Sequence, residues 1–285
     1  MNGLLIYELK EIERNRSFID RLITAAKSHG ITLTVIEDQN PVIPETDFIF
    51  FRTRHPKLAK KLEQLGIPIF NRAEVNVIAN NKLKAIQLVQ LLGIATVPTK
   101  KVQNIYDISE YPIVLKTVDG YGGTQVELSQ TKEDALLFLE KHETQTIIAQ
   151  TYIETNATDV RVFMLGDEVV GAVKRIGAEN SFKSNFTLGG TVEKYILNNE
   201  QATDVQKIAK ALKSDYIGID FLLLPDGTWL FNEIEDPVGA RSYFATTGED
   251  IAIPIMNHIN KKLTEKRARR LIIGRALFLP EIWIL

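Results

Sequence analysis

The apolar positions of this chain switch between two periods. Short runs that are continuous or alternate, as in strands, are followed by stripes recurring every three or four residues, as in helices. Residues 4–7 read as a strand. Phe18, Leu22, Ile23 and Ala26 then mark a helix, with Gly30 where a C-terminal cap belongs. Residues 31–36 and 47–51 are two more strands, and Leu58, Leu62 and Leu65 mark a short helix ended by Gly66. This βαβ-like region runs to about residue 80.

Beyond it, Leu83, Ile86, Val89 and Leu92 form one helical stripe closed by Gly93. Residues 112–117 and 124–128 read as strands around the loop Asp119-Gly120-Tyr121-Gly122-Gly123. Thr131 with Asp134 has the form of a capping box opening a helix over 135–141, and 146–150 is another strand. Strands 160–165 and 168–175 then flank Gly166-Asp167, a two-residue hairpin signal. Val205, Ile208, Ala209 and Leu212 make a helix, strands 217–224 and 228–234 meet at Asp226-Gly227, and Ile251, Ile255, Met256 and Ile259 suggest a closing helix. The pattern predicts a mixed α/β (α+β) chain. Its interlocked units are 1–80, 81–151 and 152–263, followed by a tail, 264–285.

Composition narrows the function. Apolar residues make up 45% and charged residues 25% of the 285, ordinary values for a soluble globular protein. The 34 basic and 36 acidic residues leave a net charge of −2, which argues against a dedicated binder of nucleic acid or anionic lipid. The absence of cysteine excludes disulfides, thiolate metal sites and a cysteine nucleophile. His29, His55, His142 and His258 match no metal or triad spacing. No apolar run approaches the roughly 18 residues of a spanning helix, and no signal-peptide core precedes the first strand, so a cytoplasmic protein without a transmembrane segment is expected. The tail stands apart: Lys266, Arg267, Arg269 and Arg270 precede an apolar run with Phe278 and Trp283, and its net charge of +3 leaves −5 for residues 1–263. It reads as a membrane-surface or partner-docking tail, or as a packed or disordered extension.

The strongest chemical signal is acidic. With Asp226-Gly227 as a two-residue loop, Asp220 lies directly across from Glu233, and Glu235 shares the face by the strand's period of two. Like charges opposed on a sheet are destabilising. Three carboxylates among such apolar strands call for a cation, and hard oxygen ligands suit Mg²⁺ or Mn²⁺; the competing reading is a solvent face paired to lysines or arginines. The glycine loop is weaker evidence. It lacks the Lys-Ser/Thr ending of a Walker loop, but glycines let backbone N–H groups approach phosphates. Lys116, set in an apolar strand, would be relieved by a bound anion, and Lys82 is a second candidate.

Taken in order, these motifs resemble the ATP-grasp superfamily, and within it the RimK-type amino-acid ligases, over about residues 3–262. FNRAEVNVIANNKLKAIQLVQLLGI resembles the entry to the central unit, with Lys82 at the nucleotide lysine. YPIVLKTVDGYGG is similar to the second lysine strand and its lid loop, with Lys116, Gly120, Gly122 and Gly123. IIAQTYIETNATDVRVFMLGDEVV resembles the adenine hinge (Gln150, Thr151, Tyr152 and Ile153), followed by Asp159 and Arg161. FKSNFTLGG is similar to the phosphate-side segment, with Lys183, Ser184 and Asn185. GIDFLLL and LFNEIEDPVGARS resemble the two magnesium strands. Three positions depart from the family: Thr151 replaces a hinge acid, Lys183 an arginine, and Glu235 the usual asparagine.

The resemblance implies an ATP-grasp fold, a Rossmann-like first unit with two α+β units sandwiching ATP. It also implies an ATP- and Mg²⁺-dependent ligase that joins a carboxylate to an amine through an acylphosphate, on an amino acid, peptide or carrier protein. Lys82, Lys116 and Lys183 would offset phosphate charge, and Asp220, Glu233 and Glu235 would hold metal. Arg241, after the metal strand, would contact the transferred phosphate or the acyl group; alternatively it pairs with Asp236. Arg52 and Arg54 either clamp a substrate carboxylate or cap a loop, and Arg161 would contact substrate. With Gly166-Asp167 as a two-residue loop, Lys174 faces Asp159, and Lys174 and Arg175 make either a salt bridge or a substrate contact. The resemblance also admits a homo-oligomer, a dipeptide, glutathione-like or macrocycle-forming ligase, or a nucleotide-binding switch without turnover.

Overall fold

The computed structural model describes residues 1–39, 41–178 and 190–276, with side chains to residue 268. The first sheet is parallel. It comprises β1 (Asn2–Tyr7), β2 (Thr32–Glu37), β3 (Phe48–Arg52) and β4 (Ile69–Phe70), in the order β2-β1-β3-β4. Every residue of β3 is buried, as expected of a strand covered on both faces. Phe48 and Phe50 face α2 (Arg16–Lys27), while Ile49 and Phe51 face α3 (Pro56–Glu63). The sequence pattern did not reveal α1 (Leu9–Arg14), just ahead of α2, or α4 (Ala73–Ala79).

Helix α5 (Lys82–Leu91) follows; Asn81 caps it by accepting from the Lys84 N–H. The second sheet is antiparallel, β5 (Thr99–Val102), β6 (Ile113–Thr117), β7 (Val126–Ser129) and β8 (Ile147–Thr151), in the order β5-β8-β6-β7. It packs on α6 (Lys132–Lys141), which opens with the predicted Thr131–Asp134 capping box. Although α5 precedes this sheet, Ala85, Ile86 and Val89 pack with the third sheet instead.

The third sheet holds β9 (Thr158–Leu165), β10 (Glu168–Ile176), β11 (Thr191–Lys194), β12 (Tyr216–Leu223) and β13 (Trp229–Glu235), in the order β11-β10-β9-β12-β13. Helix α7 (Asn199–Leu212) covers one face, through Val205, Ile208 and Leu212. Two helices lead out of it, the short α8 (Arg241–Thr247) and the long α9 (Ala252–Ala276). Helix α9 runs through the start of the predicted tail, so residues 264–276 continue it, and Arg267 reaches back to Asp47 at 2.6 Å. Ile255, Met256 and Ile259 of α9 share one core with Phe18, Ile19 and Leu22 of α2, which welds the first unit to the last.

Both predicted hairpin registers need correction. The turn joining β12 to β13 has three residues, Pro225 to Gly227, because Leu224 N–H donates to Thr228 O at 2.8 Å and Gly227 has φ +85°. Asn232 then has no partner on β12, since Asp220 pairs with Glu233 and Phe221 with Phe231. The longer turn and the bulge each shift the register by one and cancel, so Asp220 does face Glu233. Between β9 and β10 nothing cancels. A bulge at Val170 puts Arg175, not Lys174, opposite Asp159, and Lys174 pairs with Glu193 at 2.8 Å.

Candidate active site

Between the second and third sheets lies a cleft of about 890 Å³. Val97, Val114, Val126 and Leu222 supply apolar lining, and Gln150, Thr151, Tyr152 and Ile153 bring the end of β8 into it. Lys82, Lys116, Gly120, Gly122, Gly123, Asp159, Glu233 and Glu235 line the same space. Both lysines are buried. Burial lowers the Lys116 ammonium to about 8, despite Glu233 nearby. Lys82 Nζ donates to Gly120 O, tying the start of α5 to the glycine loop, and lies 3.6 Å from Glu233.

The bulge in β13 adds a residue that strand alternation hid. Asn232 lines the cleft and accepts from Lys116 Nζ at 2.8 Å. Its sequence signal was a polar residue breaking the apolar run TWLF before the acidic pair.

The three acids meet: one oxygen from each of Asp220, Glu233 and Glu235 lies within 4.8 Å of the others. Their surroundings differ. Asp220 is fully buried and takes Arg161 Nε at 2.7 Å, Arg161 Nη2 at 2.6 Å and Arg175 Nη2 at 2.8 Å. Burial pushes its carboxyl up, but these arginines outweigh burial and hold it below the ordinary value. Glu235 is likewise lowered, with burial overcome by Arg161 and Arg54 at 3.0 and 3.2 Å. Among the described residues Glu233 has no arginine partner. Burial, then Glu235 and Asp220, raise it in spite of Lys82. A carboxylate so placed, with two more beside it, suits a hard divalent cation. The paired buried lysines beside a glycine loop suit a polyphosphate.

A second cleft of about 1000 Å³ adjoins the first; Tyr121, Gly122 and Glu235 line both. Arg52, Arg54, Arg161, Arg175 and Arg241 line it, as do Glu11 and Arg14 of α1, which the sequence reading missed. The expected substrate arginines are not equivalent. Arg175 holds Asp159 through two bonds of 2.6 Å, and Arg161 is committed to Asp220 and Glu235. Arg52 is 3% exposed rather than set out toward solvent as a clamp. Alternation along β3 puts it on the face of Phe50, where it packs on Tyr7, Phe18 and Tyr216 and donates to Val238 O at 2.6 Å. Arg241 does not pair with Asp236, which is buried between Asn71 and Asn76. It is exposed, and partial burial followed by repulsion from Arg14 lowers its guanidinium. Lys183, Ser184 and Asn185 lie outside the described residues.

The sequence model of the RimK-like ATP-grasp domain matches residues 73–259, which include both lysines, the hinge and all three acids. The chain belongs to the RimK-like ATP-grasp family. As a member, it is an ATP-dependent ligase that forms an amide bond. It is 31% identical over 212 residues to the probable alpha-L-glutamate ligase of Pasteurella multocida, covering 71% of this chain and 67% of that protein. Among solved structures, D-cycloserine synthetase DcsG matches with a TM-score of 0.76 at 14% identity, over 92% of this chain and 100% of that one. D-alanine–D-alanine ligase from Bacillus anthracis, complexed with ATP, matches with a TM-score of 0.70 at 17% identity, over 94% and 99%. At those identities the likeness is one of fold, and it bears out the ATP-grasp architecture expected from the motif order. Among the described residues no helix is long and apolar enough to cross a membrane.

Proposed function

We propose that this RimK-like ligase activates a carboxylate with ATP in the first cleft and couples it to the amine of an acidic amino acid, glutamate or a close analogue, held partly in the second. The observation that carries the reading is the adjacency of the clefts. Two buried lysines with Glu233 and Glu235 line one, and Arg241, unpaired among the described residues, stands in the other. The name of the Pasteurella relative points to the same amino acid.

The roles follow from charge. Lys82 and Lys116 neutralise the phosphates, and Asn232 orients the Lys116 ammonium. The apolar walls and the end of β8 hold the adenine. Glu233, Glu235 and Asp220 would hold Mg²⁺, which when bound offsets charge on the transferred phosphoryl group. The substrate carboxylate oxygen attacks the γ-phosphorus and ADP leaves. The amine nitrogen then attacks the acyl carbon, phosphate departs and the amine loses a proton. Arg241, which feels Arg14 more strongly than Glu11 and has no ion pair among the described residues, takes a carboxylate of the substrate. ATP use fits a cytoplasmic location.

The test is phosphate release and product mass after incubation with ATP, Mg²⁺ and each amino acid in turn. The reading predicts a new species heavier by one glutamate-like residue. ATP binding without amino-acid-stimulated phosphate release would support a nucleotide switch instead.

A further inference from the structure

The tip of the glycine loop is tied to the first unit by contacts that need no nucleotide. The Tyr121 hydroxyl accepts from Lys10 Nζ at 2.8 Å, and Lys10 is itself held by Glu8 at 2.8 Å. The Arg54 guanidinium lies over the same ring, 4.7 Å from its centroid, while its Nη2 reaches Glu235 Oε2 at 3.2 Å. Three separate stretches therefore meet at one ring: the start of α1, the residues just after β3 and the loop between β6 and β7. Because Tyr121 and Gly122 line both clefts, the ring stands in the wall between nucleotide and substrate.

Gly122 and Gly123 have φ of +64° and +74°, a conformation that glycine adopts without strain, and they leave the Tyr121 ring as the loop's one large side chain. An aromatic ring that offers a face to one cation and a hydroxyl to another adds an anchor to the one that Lys82 gives Gly120 O.

We propose that Tyr121 is a latch that shuts the glycine loop against the first unit, and that Arg54 is a positioning residue joining the latch to Glu235. The inference rests on the ligase reading. With the latch shut, the activated acyl group meets only the amine. With it open, a water oxygen attacks the acyl carbon, phosphate leaves, and ATP is consumed without an amide.

Two measurements test this. The first is amide hydrogen exchange over residues 119–124 without nucleotide, in wild type, Tyr121→Ala and Lys10→Met. Both variants should exchange about five- to tenfold faster there, with β1 and β3 unchanged, the span expected for losing a cation–π contact and a charged hydrogen bond. The second is phosphate released per amide formed. It should stay near one in wild type and in Tyr121→Phe, which keeps the ring, and rise at least about twofold in Tyr121→Ala. Unchanged exchange in both variants, or a ratio of one in Tyr121→Ala, would overturn the latch. A wild-type protein that makes no amide counts against the ligase reading alone, and exchange still decides the latch.

Discussion

Lys116 of the second sheet donates to Asn232 of the third across 2.8 Å, and neither residue's neighbours in sequence announce the contact. The lysine is buried because β6 is buried throughout. The asparagine reaches it because a bulge turns one residue of β13 out of alternation.

That lysine should make ATP binding depend on pH. Its value near 8 in the free protein means it is charged below that pH and increasingly neutral above it. Phosphates favour the charged form, so the complex holds its proton to higher pH. Binding should take up protons at about pH 8.5, and affinity should fall as pH rises through 8. Titration calorimetry in buffers of different ionisation enthalpy reads the uptake; Lys116→Met should abolish it.

Asn232→Ala should leave the fold intact and weaken ATP use. A hydrogen bond to a charged group contributes about 1.5–3 kcal/mol, so kcat/KM for ATP should drop roughly tenfold or more. The comparison is with steady-state kinetics of wild type at saturating amino acid.

The acids should separate by stability. Asp220→Asn leaves two buried arginines short of a charge and should cost about 3–5 kcal/mol in urea unfolding. Glu233→Gln removes a carboxylate with no arginine partner among the described residues and should change stability by less than about 1 kcal/mol. It should nonetheless weaken Mn²⁺ binding measured by electron paramagnetic resonance.

Arg241→Ala should be silent in thermal unfolding, because the side chain is exposed and unpaired among the described residues. The KM for the acidic amino acid should rise about tenfold with little change in KM for ATP. Arg241→Lys should recover part of the loss, since it restores charge but not the planar fork.

Most of this architecture was legible because it depends on period. Strands β1, β3, β6 and β9 and helices α2, α5 and α7 all follow apolar spacing, and α6 was marked by its capping box. The acidic pair was legible despite a misread turn, because the extra turn residue and the bulge at Asn232 compensated. Lys174 was misassigned because the bulge at Val170 stood alone. Bulges leave no periodic mark, and neither do short helices such as α1 and α8, whose few turns carry too little pattern. Arg52 is buried through parity: its neighbour Phe50 already fixed which face it would take, and that face is packed, although Arg52 still lines the second cleft.

The shared core of α2 and α9 has a consequence for biosynthesis. Phe18, Ile19 and Leu22 emerge from the ribosome early, yet part of their cover, Ile255, Met256 and Ile259, is made near the end. Until then one side of the first sheet's helical layer remains greasy and open, a state prone to association. A nascent chain stalled before α9 would carry a first unit with an uncovered flank. Chaperone dependence should therefore track the late arrival of this helix rather than the chemistry of the cleft.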